Sequence, residues 1–287
     1  MDDPLLRVSV PPYISIKPLV WALPEVAPEV QINESVPRDI ARLIVEGEID
    51  AGLLPLLTIL RNPALSIIPD ISVSHKGPAG NCILFSNVAP ADIKTVLVDR
   101  SAIGAIALLR ALFRIRWSMQ PVEVISSGPL DSDYSFEDAD YDAFLITGDE
   151  AMKTVSEKQF EHIIDLGEKW EEWTHLPFVF YVWAVAEDVR GPALEEMFMD
   201  AKLKGLERIE EIADYGAIHL EKEKQECLDY LKNTSYSLGE DEWKGIERFH
   251  YFMHELTICP EYVELLIYRG DHTDIRPVGI NPDQPSE

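Results

Sequence analysis

The 287-residue sequence predicts an α/β protein of two lobes that carries a C-terminal helical segment. Three observations carry this. Short apolar strands alternate with helical stretches, the pattern of mainly parallel sheets covered by helices. The alternation comes in two sets, one up to residue 86 and one over 90–177. After residue 188 the pattern turns wholly helical, with i,i+4 charge pairs on its polar faces.

The elements follow in order. Arg7–Val10 is a short strand ended by Pro11 and Pro12. A brief helix over 17–23 and a strand over 30–32 come next. Ser35 is placed to cap a helix with Pro37 in its first turn, and Ile40, Leu43 and Ile44 keep helical spacing. Gly47 ends it. Residues 49–54 read as a buried strand, Leu56–Arg61 as a short helix closed by Asn62-Pro63, and 66–68 and 81–85 as apolar strands. The second set opens with a strand at Thr95–Val98 and an apolar helix over 103–115. A strand at Val122–Ile125, an acidic loop over 131–141, a strand over 143–146 and a helix from Asp149 follow. Phe178–Val185 is aromatic and β-branched, as strands are. Helices are expected over 191–214, 216–232 and 239–256. Connections between the lobes are expected near 86–93 and 178–186. Lobe one is then 1–86 plus 186–270, lobe two is 90–177, and 271–287 is a polar tail. Ligands of open α/β sheets lie beyond the carboxyl ends of strands, so the cleft between the lobes is the expected site.

A net charge of −26 argues against nucleic acid as a partner. No apolar run approaches the roughly 20 residues that span a bilayer. MDDPLLRVSVPPY has acids where a secretory signal needs base, so a cytoplasmic protein with no membrane partner is expected. Cys82, Cys227 and Cys259 are scattered, which points to neither a disulfide framework nor a zinc knuckle. His250 and His254 are four apart but have no evident third ligand, and read as structural histidines. Glycine-rich nucleotide motifs and GxSxG are absent. The set Trp170, Trp173, Phe178, Phe180, Tyr181 and Trp183 reads as the core of lobe two. Oligomeric state is left open.

Three stretches bear on function: GEIDAGLLPLL at 47–57 within the run 38–86, GDEAM at 148–152, and LGEKWEEWTHLPFVFYVWAV at 166–185. Together they resemble the menaquinone-pathway chorismate dehydratase family over most of residues 5–190. The resemblance implies a two-lobed periplasmic-binding-protein-like (type II) fold working in the cytoplasm. It implies dehydration of chorismate to 3-[(1-carboxyvinyl)oxy]benzoate, on the futalosine route, with no metal or organic cofactor.

The ligand-contacting positions depart from the family pattern. Residues 12–19 match its approximate PYLNxxPL at Pro12, Tyr13 and Pro18-Leu19, but the family's asparagine is Ser15. The family has a serine where this chain has Asn81. The two polar residues are thus exchanged between two loops, and Ser15 and Asn81 are the candidate catalytic pair; capping of the helix at 17–23 is the structural alternative for Ser15. A Thr-Ser pair of the family is replaced by Gly104-Ala105 at a helix start, where backbone N–H groups suit a carboxylate. Arg100 and Ser101 stand beside them as local anion ligands. Tyr13, Gly52, Gly77 and Gly148 are further candidate substrate contacts. Lys17, His75, Lys76 and Arg100 fall in loops expected to ring the cleft, a focused positive spot for an anionic substrate. Asp149 and Glu150 read as first-turn acids favoured by the helix dipole. A non-catalytic binding protein for a small cyclic or aromatic carboxylate stays open beside the enzyme.

Overall fold

The computed structural model describes residues 6–125, 130, 140–157, 160–186, 189 and 193–279. Most of the expected acidic loop, 131–139, and the end of the expected tail, 280–287, lie outside the described residues.

Two sheets organise the chain. The first has seven strands: β1 (Arg7–Val10), β2 (Gln31–Glu34), β3 (Ala51–Pro55), β4 (Ser66–His75), β10 (Phe178–Val185), β11 (Tyr262–Arg269) and β12 (His272–Gly279), in the order β12-β11-β4-β10-β3-β1-β2. The second has five: β5 (Cys82–Ser86), β6 (Thr95–Val98), β7 (Val122–Ile125), β8 (Ala143–Thr147) and β9 (His162–Asp165), in the order β7-β6-β8-β5-β9. β1 runs parallel to both its neighbours, as β6 does to its own. β10 is antiparallel to β3 and β4, and β5 is antiparallel to β8 and β9.

This topology moves both connections. β5 belongs to the second sheet, so the chain crosses at 76–81 and not at 86–93. It returns between β9 and β10; 178–185 is a central strand of the first sheet rather than a connector. Expected strand 66–68 is the start of a ten-residue strand. The expected tail contains β12, which pairs with β11 along its whole length. It is exposed or half-buried along its length, with only Val278 fully buried, as an edge strand is, and this is why its polar sequence hid it.

The helices are α1 (Lys17–Val20), α2 (Leu23–Val26), α3 (Pro37–Val45), α4 (Leu56–Arg61), α5 (Ile103–Ala111), α6 (Asp149–Glu157), α7 (Leu166–Thr174), α8 (Ala193–Glu207), α9 (Ile209–Leu220), α10 (Lys224–Asn233) and α11 (Glu240–Glu255). α5 runs on into a π-helical turn over Leu112–Arg116. The helix expected over 17–23 is two short ones, each with Pro in its first turn. Ser35 does not cap α3, whose N-cap is Val36. Of the late helices, α8 packs on α1, α2 and β4, and α9 packs on α10. α11 lies on β10 and β12 and also touches α5. Its Phe249 and Phe252 meet Trp170 of α7 at centroid distances of 6.1 and 5.9 Å. One apolar cluster, with Trp170, Phe178, Phe249 and the apolar face of α5, therefore runs through both sheets.

Candidate functional site

A cavity lies between the two sheets. The first sheet contributes Tyr13 after β1, Pro55–Leu57 at the end of β3, and Phe178–Tyr181 of β10. The second contributes Asn81 and Cys82, residues 101–105 at the start of α5, and Thr147-Gly148 at the end of β8. These are the strand ends and helix starts at which α/β folds bind ligands.

Six of the candidate residues meet here: Tyr13, Asn81, Ser101, Gly104, Ala105 and Gly148. α5 starts without a side-chain cap. The first N–H groups of a helix have no acceptor of their own within it, so this end is electropositive by geometry alone. Ser101 is held by Asp99, to which its N–H and hydroxyl both donate, at 2.6 and 2.7 Å. Gly148 has φ of +68°, and a Cβ there would stand 2.6 Å from the Tyr13 ring. Glycine is therefore what lets that ring lie over the end of β8. Burial pushes the Tyr13 phenol up to about 12, so it is neutral and can donate.

Asn81 is fixed from three sides. Its backbone carbonyl accepts the Gly148 N–H at 2.8 Å. The preceding Gly80 N–H donates to Asp165 Oδ2 at 2.7 Å. Its own Nδ2 donates to the Tyr230 hydroxyl at 2.9 Å. The side chain is 6% exposed, and Oδ1 is buried with no hydrogen-bond partner. An unpaired buried carbonyl costs about 1–3 kcal/mol, which a ligand hydroxyl or amine would recover. Ser15 is 1% exposed and lies in the turn Ile14–Ile16, capping no helix. It is not among the residues that line the cavity.

The other candidates lie elsewhere. Lys17 is paired with Glu34 and sits 5.3 Å from the Tyr215 ring centroid. Lys76 faces Asp241 on α11 at 3.8 Å. Arg100 is exposed and does not line the cavity. His75 is buried, and burial pushes its imidazole down to about 4, so it is neutral. The positive spot expected around the cleft does not form, and no charged side chain lines the cavity among the described residues. Gly52 lies within β3, where a Cβ would meet Ile40 Cγ2 at 2.7 Å; it is a packing residue. Gly77 has φ of +101° with open space around it, and serves the crossing turn.

Several residues of the site were not singled out from sequence. Phe178, Phe180 and Tyr181 line the cavity, Phe178 while also belonging to the apolar core. Asp165 caps α7, accepting from Gly167 and Glu168 N–H at 2.8 and 3.1 Å while holding Gly80. Its signal is an acid followed three residues later by Glu. Tyr230 has no local signal. Asp149, read as a first-turn acid, accepts the Ile14 N–H on both oxygens, at 3.0 and 3.1 Å. Burial raises its carboxyl to about 7 against that bond and nearby Lys153. Cys82 lines the cavity as a thiol pushed up by burial, which leaves it unreactive. No group of metal-ligating side chains occurs among the described residues, where His250 is a buried core side chain.

A family model described as menaquinone biosynthesis matches residues 6–255. A chorismate dehydratase of Thermus thermophilus is 27% identical over 259 residues, which span 84% of this chain and 93% of that protein. A protein of Archaeoglobus fulgidus has a TM-score of 0.69 at 15% identity, covering 90% of this chain and all of the other. The periplasmic aliphatic sulphonate binding protein of Escherichia coli has a TM-score of 0.60 at 16% identity, over 98% and 95% of the two chains. The fold is thus the two-lobed periplasmic-binding-protein-like one, with the helices after residue 193 followed by the β11–β12 hairpin. Among the described residues no helix is long and apolar enough to cross a membrane.

Proposed function

The chain belongs to the menaquinone biosynthesis family, and from that premise we propose that it dehydrates chorismate to 3-[(1-carboxyvinyl)oxy]benzoate in the cytosol. The observation that carries this is Asn81, a buried amide with an unpaired side-chain carbonyl among the residues that line the cavity, together with the uncapped start of α5 in the same lining. A ring carboxylate lies at the α5 N–H groups, where the helix end favours negative charge. Phe178, Phe180 and Tyr181 cover the ring, and the Asn81 carbonyl orients the ring hydroxyl. Elimination takes the proton from C3 and the hydroxyl from C4 as water, and the ring becomes aromatic. The lining residues offer no basic side chain. The substrate's own side-chain carboxylate is the base, and the protein orients it and excludes water. No metal or organic cofactor enters this scheme.

The test is incubation with chorismate and chromatography of the product. Wild type should form the aromatic enol ether faster than buffer alone. Ser15→Ala and Asn81→Ala should each slow it by on the order of ten- to a thousandfold. The paired change Ser15→Asn with Asn81→Ser should keep more activity than either alone, because only the pair restores the family arrangement.

The absence of a charged side chain from the lining favours one second reading, a non-catalytic binding protein for a cyclic or aromatic carboxylate. Calorimetric binding of chorismate without product would select it. Neither binding nor turnover would remove chorismate from both readings.

A further inference from the structure

Helix α10 has no part in the scheme above, yet it delivers one buried side chain to the site. Tyr230 Oη accepts from Asn81 Nδ2 at 2.9 Å, and Asn81 comes from the crossing into the second sheet. The Tyr230 ring is itself fixed. It stacks on His75 at a centroid distance of 5.8 Å and an angle of 23°. One turn on, the Thr234 hydroxyl donates to the Tyr230 carbonyl at 3.0 Å and sits 3.2 Å from His75 Nε2. An asparagine amide has a broad terminal torsion, and a single firm partner decides which end it presents. With Nδ2 on Tyr230, Oδ1 is the free end.

We propose that Tyr230 is a positioning residue for the reaction, the post on which the Asn81 amide is set. It rests on the dehydratase reading and extends it to the C-terminal segment, without which the site is incomplete. Burial raises the phenol far above working pH, so it orients and transfers no proton.

Tyr230→Phe keeps the ring and deletes the oxygen. The variant should lose at least about tenfold in kcat with a smaller change in KM and an unaltered pH–rate profile. Because Tyr230 acts through Asn81, Asn81→Ala should cost much less in the Tyr230→Phe background than in wild type. Equal cost in both backgrounds would overturn the proposal. A second arm needs no turnover. The side-chain amide signals of Asn81, identified by their loss in Asn81→Ala, should be protected from solvent exchange in wild type and should shift and exchange faster in Tyr230→Phe. A freely exchanging amide in wild type overturns the proposal whether or not the variant folds, and so do signals unmoved by the substitution. Wild-type protein that leaves chorismate unchanged sinks the dehydratase reading alone, and the amide signals then decide the role of Tyr230.

Discussion

Asp149 is an acid in a place where ionisation is costly. Its ordinary value is 3.8, and burial raises it to about 7 in the folded protein. Below about pH 4 it is protonated in both states and contributes nothing. Between about 4 and about 7 the unfolded chain releases the proton first, so this group lowers stability as pH rises, and the whole penalty is present above about 7. Asp149→Asn keeps an oxygen for the Ile14 N–H and removes the titration. Its melting temperature should match wild type near pH 4 and exceed it by several degrees at pH 8, at roughly 2–4 °C per kcal/mol for a chain of this size. A parallel pair of curves would show that Asp149 is not responsible. Gly148 is the opposite case, a residue with no room to grow. Gly148→Ala combines a positive φ with the close approach to the Tyr13 ring and should lower the melting temperature by about 3–8 °C. Chorismate should also stabilise that variant less than wild type, because Tyr13 lines the cavity. Arg100→Ala should leave chorismate affinity unchanged, since Arg100 is exposed and away from the lining.

At the scale of elements, the anion site proposed at the start of α5 rests on backbone N–H groups. Ala102→Asp would put a carboxylate at the N-cap of that helix, in competition with the ligand for the same N–H groups. Chorismate affinity should fall at least about tenfold by calorimetry. The elements most legible in the sequence were those with clean periodicity between breakers: β1, β6, β10 and the start of α5. Sheet membership was not legible for β5, because an apolar run reads the same whichever sheet buries it. Loop cations were placed by their neighbours in sequence, whereas their directions are set by distant partners, Glu34 for Lys17 and Asp241 for Lys76. The approach of Asn81 to Tyr230 joins two remote segments, and no local pattern encodes it.

The molecule as a whole carries a charge of −26 around a cavity that takes a dianion in the reading given above. Long-range repulsion is screened over about 10 Å at 0.1 M salt, while the contacts inside the cavity are screened far less. Chorismate association should therefore quicken as ionic strength rises from about 10 to about 150 mM, opposite to the behaviour of a cationic site; stopped-flow fluorescence would read it. The strand order has a further consequence for how the chain is made. Strands β5 to β9 are contiguous at 82–165, so the second sheet has all its strands as soon as that stretch leaves the ribosome. The first sheet must wait: its central strand arrives only at 178–185, and its far edge is closed by the hairpin that ends at residue 279. During synthesis the early strands β3 and β4 stand without the partner that separates them, and their facing edges stay unpaired until β10 emerges.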